Sequence, residues 1–301
     1  MDSELPVQIE RQPDYTTCGP TSLHAIYRYY GDPIDLQTVI EETDKVPGGG
    51  TLMVHLAVHA LRRGYEVDAW VCNTRHMDPT WFQQPTDVLA KLKARAAAKG
   101  LLDDPRYGPA ITAVEQCLEL GGRILWGDLT PDLIATALAQ GTPLLTGTNG
   151  TYLYQCSRET DAGPDDIRGD AFGHFIVLSG YRDADQSVAI ADPLLDNPAY
   201  GTKYYRVNVY RLIGAIFLGV GSDDGNLLRI RPKGWKQSPP LPLPDASDKK
   251  ARMRGLFRLV RRRALLCPTG FVLLGGCGRS VGLLCLLVTG FLVARLLRRL
   301  L

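Results

Sequence analysis

The spacing of apolar residues changes character once along this chain, near Pro143, and that change restricts the fold more than any other feature. Before it, helical periodicity dominates. Leu23, Ile26, Tyr27 and Tyr30 recur at i, i+3, i+4 and i+7, and Gly31, Asp32 and Pro33 stop the run. The pattern predicts further helices over 36–42, 51–64, 86–99, 111–120 and 131–140, with only two short strands, 66–72 and 123–126, between them. After Pro143 the residues read as strands, over 144–146, 152–154, 174–181, 187–192, 204–207 and 227–230. Helices first and strands later favour an α+β fold, with N-terminal helices packed on an antiparallel sheet, over a doubly wound one.

At 45% hydrophobic and 22% charged residues the chain can bury a large core, which excludes wholesale disorder. Charge is unevenly placed. Residues 251–301 hold ten Arg and no Lys, Asp or Glu, whereas the first 250 residues hold 24 basic and 32 acidic side chains. Such an acidic body is a poor partner for nucleic acid, whose phosphates call for clustered Lys and Arg. The seven cysteines, Cys18, Cys72, Cys117, Cys156, Cys267, Cys277 and Cys285, are odd in number and lack any C-x-x-C spacing, which favours a reducing compartment. Residues 1–13 have neither a basic start nor an apolar run, so no secretory signal is read and the body is expected in the cytoplasm.

Pro239, Pro240, Pro242 and Pro244 mark 236–250 as an extended linker between a folded unit, 1–235, and a basic apolar tail, 251–301. In the tail, 280–294 is an uncharged run of 15 residues, short of the ~20 that a spanning helix needs. Leu296, Leu297 and snorkelling arginines extend it to a candidate membrane segment, 280–297. The alternatives are a basic segment adsorbed to anionic lipid, or the compositional bias of a GC-rich gene read out of frame.

Cys18, within Thr16-Thr17-Cys18-Gly19-Pro20, stands at the threshold of the first helix, where backbone N–H groups and the helix dipole favour a thiolate. A nucleophile also needs a base. His174 follows Gly173 and opens an apolar strand, and Asp192 ends the next strand after a tight turn over 183–186, so a hairpin returns the carboxylate toward the imidazole. Gln12, six residues before Cys18, is a candidate oxyanion donor through its amide. His55 and His59 share a helical face at i, i+4, but Leu56 stands where a zinc peptidase needs Glu, and no third ligand is marked. The glycines at 48–50 lack the lysine of a phosphate loop.

Gln12 through Ser22, the segment Gly173-His174-Phe175 through Leu178 with Gly180 and Tyr181, and Asp192-Pro193 together resemble the papain-like cysteine peptidases that remove double-glycine leaders from bacteriocin precursors. The resemblance covers roughly residues 8–235. It implies Cys18 as nucleophile, His174 as general base and acid, Asp192 as its orienter and Gln12 as oxyanion donor. No transporter or ATPase segment accompanies the resemblance, so it points to a stand-alone relative, and the double-glycine substrate does not carry over. The expectation is therefore a thiol hydrolase acting on a peptide or protein substrate, with no metal or organic cofactor. Acyl transfer to an amine on the same residues, or a catalytically silent peptide-binding module, are the alternatives.

Overall fold

The computed structural model describes residues 2–46, 50–74, 76–105, 107–219 and 226–235. In chain order the elements are β1 (Ser3–Glu4), α1 (Cys18–Tyr29), α2 (Leu36–Glu42), α3 (Met53–Arg62), β2 (Tyr65–Val71), α4 (Val88–Lys99), α5 (Gly108–Glu119), β3 (Arg123–Leu125), α6 (Pro131–Ala139), β4 (Leu144–Asn149) and α7 (Gly150–Tyr154). They continue with β5 (Glu159–Thr160), β6 (Gly163–Pro164), β7 (Gly173–Arg182), β8 (Ser187–Ala191), β9 (Tyr204–Asn208), α8 (Val209–Phe217) and β10 (Asn226–Pro232). The linker and the tail expected from the sequence lie outside the described residues.

One sheet organises these elements, in the order β3-β2-β10-β4-β7-β8-β9, with β1 added to β7. Every pairing in it is antiparallel except that of β2 with β3. Alternate residues of its strands enter two separate cores. Ala69, Val71, Leu145, Val177 and Leu228 meet α1, α3, α4 and α5, whereas Trp70, Leu144, Ile176, Leu178 and Leu227 meet α6, α7 and α8. Helices therefore cover both faces of the sheet, as strands that are apolar at consecutive positions require.

The first helix is the anchor of one core. Every residue from Cys18 to Tyr27 is buried, and Leu23, Ile26 and Tyr27 are wholly enclosed, a burial stabilising by roughly 1.5–3 kcal/mol per side chain. At its end Gly31 adopts φ +78°, which a glycine enters without strain. Two differences from the sequence expectation stand out. Residues 152–154, expected as a strand, form the end of α7, because Asn149 caps it by accepting the Tyr152 N–H. Likewise α8 was not anticipated: Asn208 caps it, and Val209, Leu212, Ala215 and Ile216 form its buried stripe.

Candidate active site

Cys18 is the first residue of α1. Thr17 precedes it but turns its hydroxyl back to the Asp14 carbonyl, at 3.0 Å, so no side chain caps the helix and no acid occupies its first turn. The positive end of the helix therefore faces the sulfur without competition. Packing fixes the position. The Ser22 hydroxyl donates to the Phe175 carbonyl at 3.2 Å, tying α1 to β7 beside His174. Gly19 makes the close approach achievable, since a Cβ there would stand 2.6 Å from the Thr51 methyl and 3.2 Å from the Phe175 ring.

His174 and Asp192 come together through an irregularity in the hairpin. The ladder runs Arg182↔Ser187, Tyr181↔Val188 and Gly180↔Ala189, then shifts so that Leu178 faces Ile190 and Val177 faces Ala191. Ser179 is the extra residue. Had the first register continued, the period-2 alternation would have put Asp192 on the opposite side of the sheet from His174. With the bulge both lie on one side, and His174 Nε2 meets Asp192 Oδ1 at 2.8 Å. Both are buried, Asp192 completely. Because Nε2 is committed to the carboxylate, Nδ1 is the nitrogen left for the sulfur, and Cys18 and His174 are close enough for each to favour the charged form of the other.

The charges follow from this geometry. Burial alone would raise the Cys18 thiol, but the hydrogen bond and charge of His174, with backbone hydrogen bonds at Phe175 and Gly19, bring it below its ordinary value. Burial alone would lower the imidazole, yet Asp192 and Cys18 on either side raise it to about 10. Burial opposes ionisation of Asp192 as well, and His174, Tyr205 and Tyr154 outweigh it and hold the carboxyl low. All three shifts agree on a thiolate–imidazolium pair backed by a carboxylate. In contrast, burial without a partner pushes the Cys117 thiol up to about 12.

Gln12 sits between the segments that carry these groups. Its backbone N–H donates to Pro193 O at 3.0 Å, next to Asp192. Its amide nitrogen donates to Asp14 O at 2.9 Å, in the turn leading to Cys18, which leaves the second amide hydrogen uncommitted. His55 and His59 are elsewhere, on α3. His59 Nδ1, in the last turn of α3, lies 2.8 Å from the buried Tyr27 hydroxyl, and His55 Nδ1, in its first turn, lies 3.5 Å from Thr51 Oγ1, so both have partners other than Cys18 and His174. Among the described residues, no group of three or more His, Cys, Asp or Glu could hold a metal ion.

Two residues of the site escaped the sequence reading. Tyr154 and Tyr205 each donate a phenol to Asp192 Oδ2 at 2.7 Å. Tyr205 was open to inference: it faces Ile190, so it is the diagonal neighbour of Asp192 on the same side of the sheet. Tyr154 was not, because its placement depends on α7 being helical.

An apolar cavity of about 450 Å³, including space open to solvent, lies between α3, β2, α4 and α5, lined by Leu52, Met53, Val71, Met77, Leu92 and Ile111 among others. None of the residues lining it belongs to the Cys18, His174 and Asp192 cluster.

No protein-family model and no curated protein matches this chain. Among solved structures it is similar to the peptidase domain of Streptococcus ComA, a bifunctional ABC transporter of a quorum-sensing pathway, at 15% identity over 75% of this chain and 99% of that one, with a TM-score of 0.37. It is also similar to a double-glycine-motif protease from an AMS/PCAT transporter, solved with its leader peptide, at 13% identity over 77% and 99% of the two chains and a TM-score of 0.38. A third is xylellain, a cysteine protease from Xylella fastidiosa, at 13% identity over 77% and 85%, TM-score 0.38.

Proposed function

We propose that this protein is a thiol hydrolase, a cysteine peptidase that cleaves a peptide or amide bond through an acyl-enzyme on Cys18. The observation that carries this reading is the buried line of groups in which His174, held by Asp192 at 2.8 Å, stands beside Cys18 and each favours the charged form of the other. A structural cysteine needs no such arrangement, as Cys117 shows.

In this mechanism the Cys18 thiolate attacks the scissile carbonyl, and negative charge builds on its oxygen. The second amide hydrogen of Gln12 and the Cys18 backbone N–H stabilise that oxyanion. His174 gives its proton to the leaving amine as the C–N bond breaks, leaving a thioester on Cys18. The neutral imidazole then takes a proton from water, the hydroxide attacks the thioester, and the acid leaves as the proton returns to the Cys18–His174 pair. Asp192 stays ionised throughout and holds the ring in one orientation.

The test is capture of the acyl-enzyme. Incubating the full chain with a peptide library and quenching in acid should yield a mass adduct on the peptide containing Cys18, together with cleaved products. Absence of both from folded protein whose Cys18 still alkylates would leave a binding module. Products joined to an added amine would instead show acyl transfer.

We propose further that the Arg-rich tail serves to localise the protein and takes no part in the chemistry. Among the described residues no helix is long and apolar enough to cross a membrane, and all four candidate site residues precede residue 236. The expected result is full activity from a chain ending at 235, with membrane binding confined to the full-length protein. A full-length protein that fractionates as the truncated one does would remove the membrane role.

A further inference from the structure

Asp192 holds its charge in a fully enclosed position, where each unmet lone pair of a carboxylate is costly. Its Oδ1 accepts from His174 Nε2 and from the Leu194 N–H, each at 2.8 Å. Its Oδ2 is met by two phenols, from α7 and β9, both at 2.7 Å. Each phenol is itself fixed by aromatic packing: Tyr205 stacks on Tyr200 with centroids 3.9 Å apart, and Tyr154 stacks on Phe172 at 6.1 Å. Among the described residues no lysine or arginine is paired with Asp192, and His174 is its one cationic partner. Lys203 offers Asp192 only its backbone carbonyl, and its ammonium group is turned away onto Ile9 O at 2.7 Å. The groups that bear on the carboxylate are therefore His174 from β7, Cys18 from α1 by way of His174, Tyr154 and Tyr205.

We propose that Tyr154 and Tyr205 are positioning residues for the reaction: together they keep Asp192 ionised and in one rotamer, so that His174 holds Nε2–H on the carboxylate and presents Nδ1 to Cys18. This rests on the function proposed above. Burial and the Asp192 charge both raise the two phenols far above their ordinary range, so they remain donors through the neutral pH range. Without them Oδ2 is left bare in a dry site, Asp192 takes up a proton at higher pH, and the imidazolium that sustains the thiolate loses its support.

The experiment compares Tyr154→Phe, Tyr205→Phe and the double variant in the full-length chain with Tyr29→Phe. The control removes a phenol that donates to Gly141 O at 2.8 Å, at the far end of α1. Circular dichroism and thermal melting establish folding. Three readouts follow: kcat and KM on a cleaved library peptide, the rate of Cys18 alkylation by iodoacetamide against pH, and the ¹⁵N spectrum of labelled His174. We expect kcat to fall about tenfold per phenol with KM unchanged. In the double variant the acidic limb of alkylation should move up by about one pH unit, with a matching loss of the imidazolium signal, while Tyr29→Phe follows wild type. A folded double variant whose alkylation limb, His174 spectrum and kcat all match wild type would overturn the proposal and leave the function standing. If wild type cleaves nothing, the function fails, and the alkylation limb and His174 spectrum still decide what the phenols do.

Discussion

At Cys18 the deciding quantity is the balance between desolvation and partnership. Burial alone makes a thiol inert, and Cys117, pushed up to about 12 by burial, is in that state. Cys18 is just as buried, yet His174 and the helix start reverse the outcome. Iodoacetamide at pH 7 should therefore label Cys18 first, and tryptic mass mapping checks this; equal labelling of Cys18 and Cys117 in folded protein would contradict it. The pH dependence has a defined sign. A lowered thiol gives alkylation that begins below the ordinary thiol range, and an imidazole raised to about 10 keeps its proton until that pH. Turnover, which needs the imidazolium to protonate the leaving group, should then fall as pH rises toward 10, while alkylation stays high. Stability follows the same linkage: the contribution of charged His174 is whole below its ordinary 6.5 and is lost as pH climbs through about 10. Cys18→Ala should abolish turnover with the melting temperature little changed. Asp192→Asn, which keeps shape but loses charge, should reduce kcat roughly 10- to 10³-fold without eliminating it, as steady-state kinetics on a cleaved peptide would show.

Among elements, the β7–β8 hairpin determines whether a site exists. Its turn over 183–186 closes with Gln186 at φ 51°, but the turn alone would deliver Asp192 to the wrong side. Ser179 corrects this, and it is held in place by β1: its carbonyl accepts the Leu5 N–H, and the adjacent Gly180 lets the Ser3 backbone approach so closely that a Cβ would stand 2.6 Å from Ser3 O. Gly180→Ala should displace β1, destabilise the fold by about 1–3 kcal/mol and loosen the His174–Asp192 contact. A lowered denaturation midpoint with a parallel loss of Cys18 reactivity is the expected result, whereas a variant with wild-type stability would show that β1 does not brace the bulge. Reading residues 152–154 as a strand failed for an instructive reason. Tyr and Leu favour a pleated surface only where neighbouring strands flank them, and here Asn149 ends β4 and caps a helix instead.

Across the whole molecule, the sheet is completed by its last described strand. β10 lies between β2 and β4, and there Arg229, 1% exposed, faces Asp68 across the ladder. Asp68 accepts from Arg229 Nε at 2.8 Å and from Arg123 Nε at 2.6 Å, and Arg229 also lies over the Trp70 ring. Removing one member of such a pair leaves an enclosed charge, so Asp68→Asn should cost about 3–5 kcal/mol. Urea unfolding monitored by tryptophan fluorescence would measure this, and an unchanged midpoint would show that the fold does not depend on the Asp68 charge.

The sequence by itself determined what local physics can determine: the helix Cys18–Tyr29 and its glycine stop, the helices and most of the strands, the α+β class, and the presence of Cys18, His174 and Asp192 at the ends of those elements. Each of these rests on periodicity or caps within a dozen residues. Tertiary structure alone decided the insertion of β10 into the middle of the sheet, the covering of both its faces, the bulge at Ser179 and the two phenols on Asp192. All four depend on contacts between residues distant in the chain, such as Arg229 with Asp68 and Tyr154 with Asp192. Spacing along one strand sets which residues share a side of the sheet; only pairing with another strand sets which side faces the cysteine.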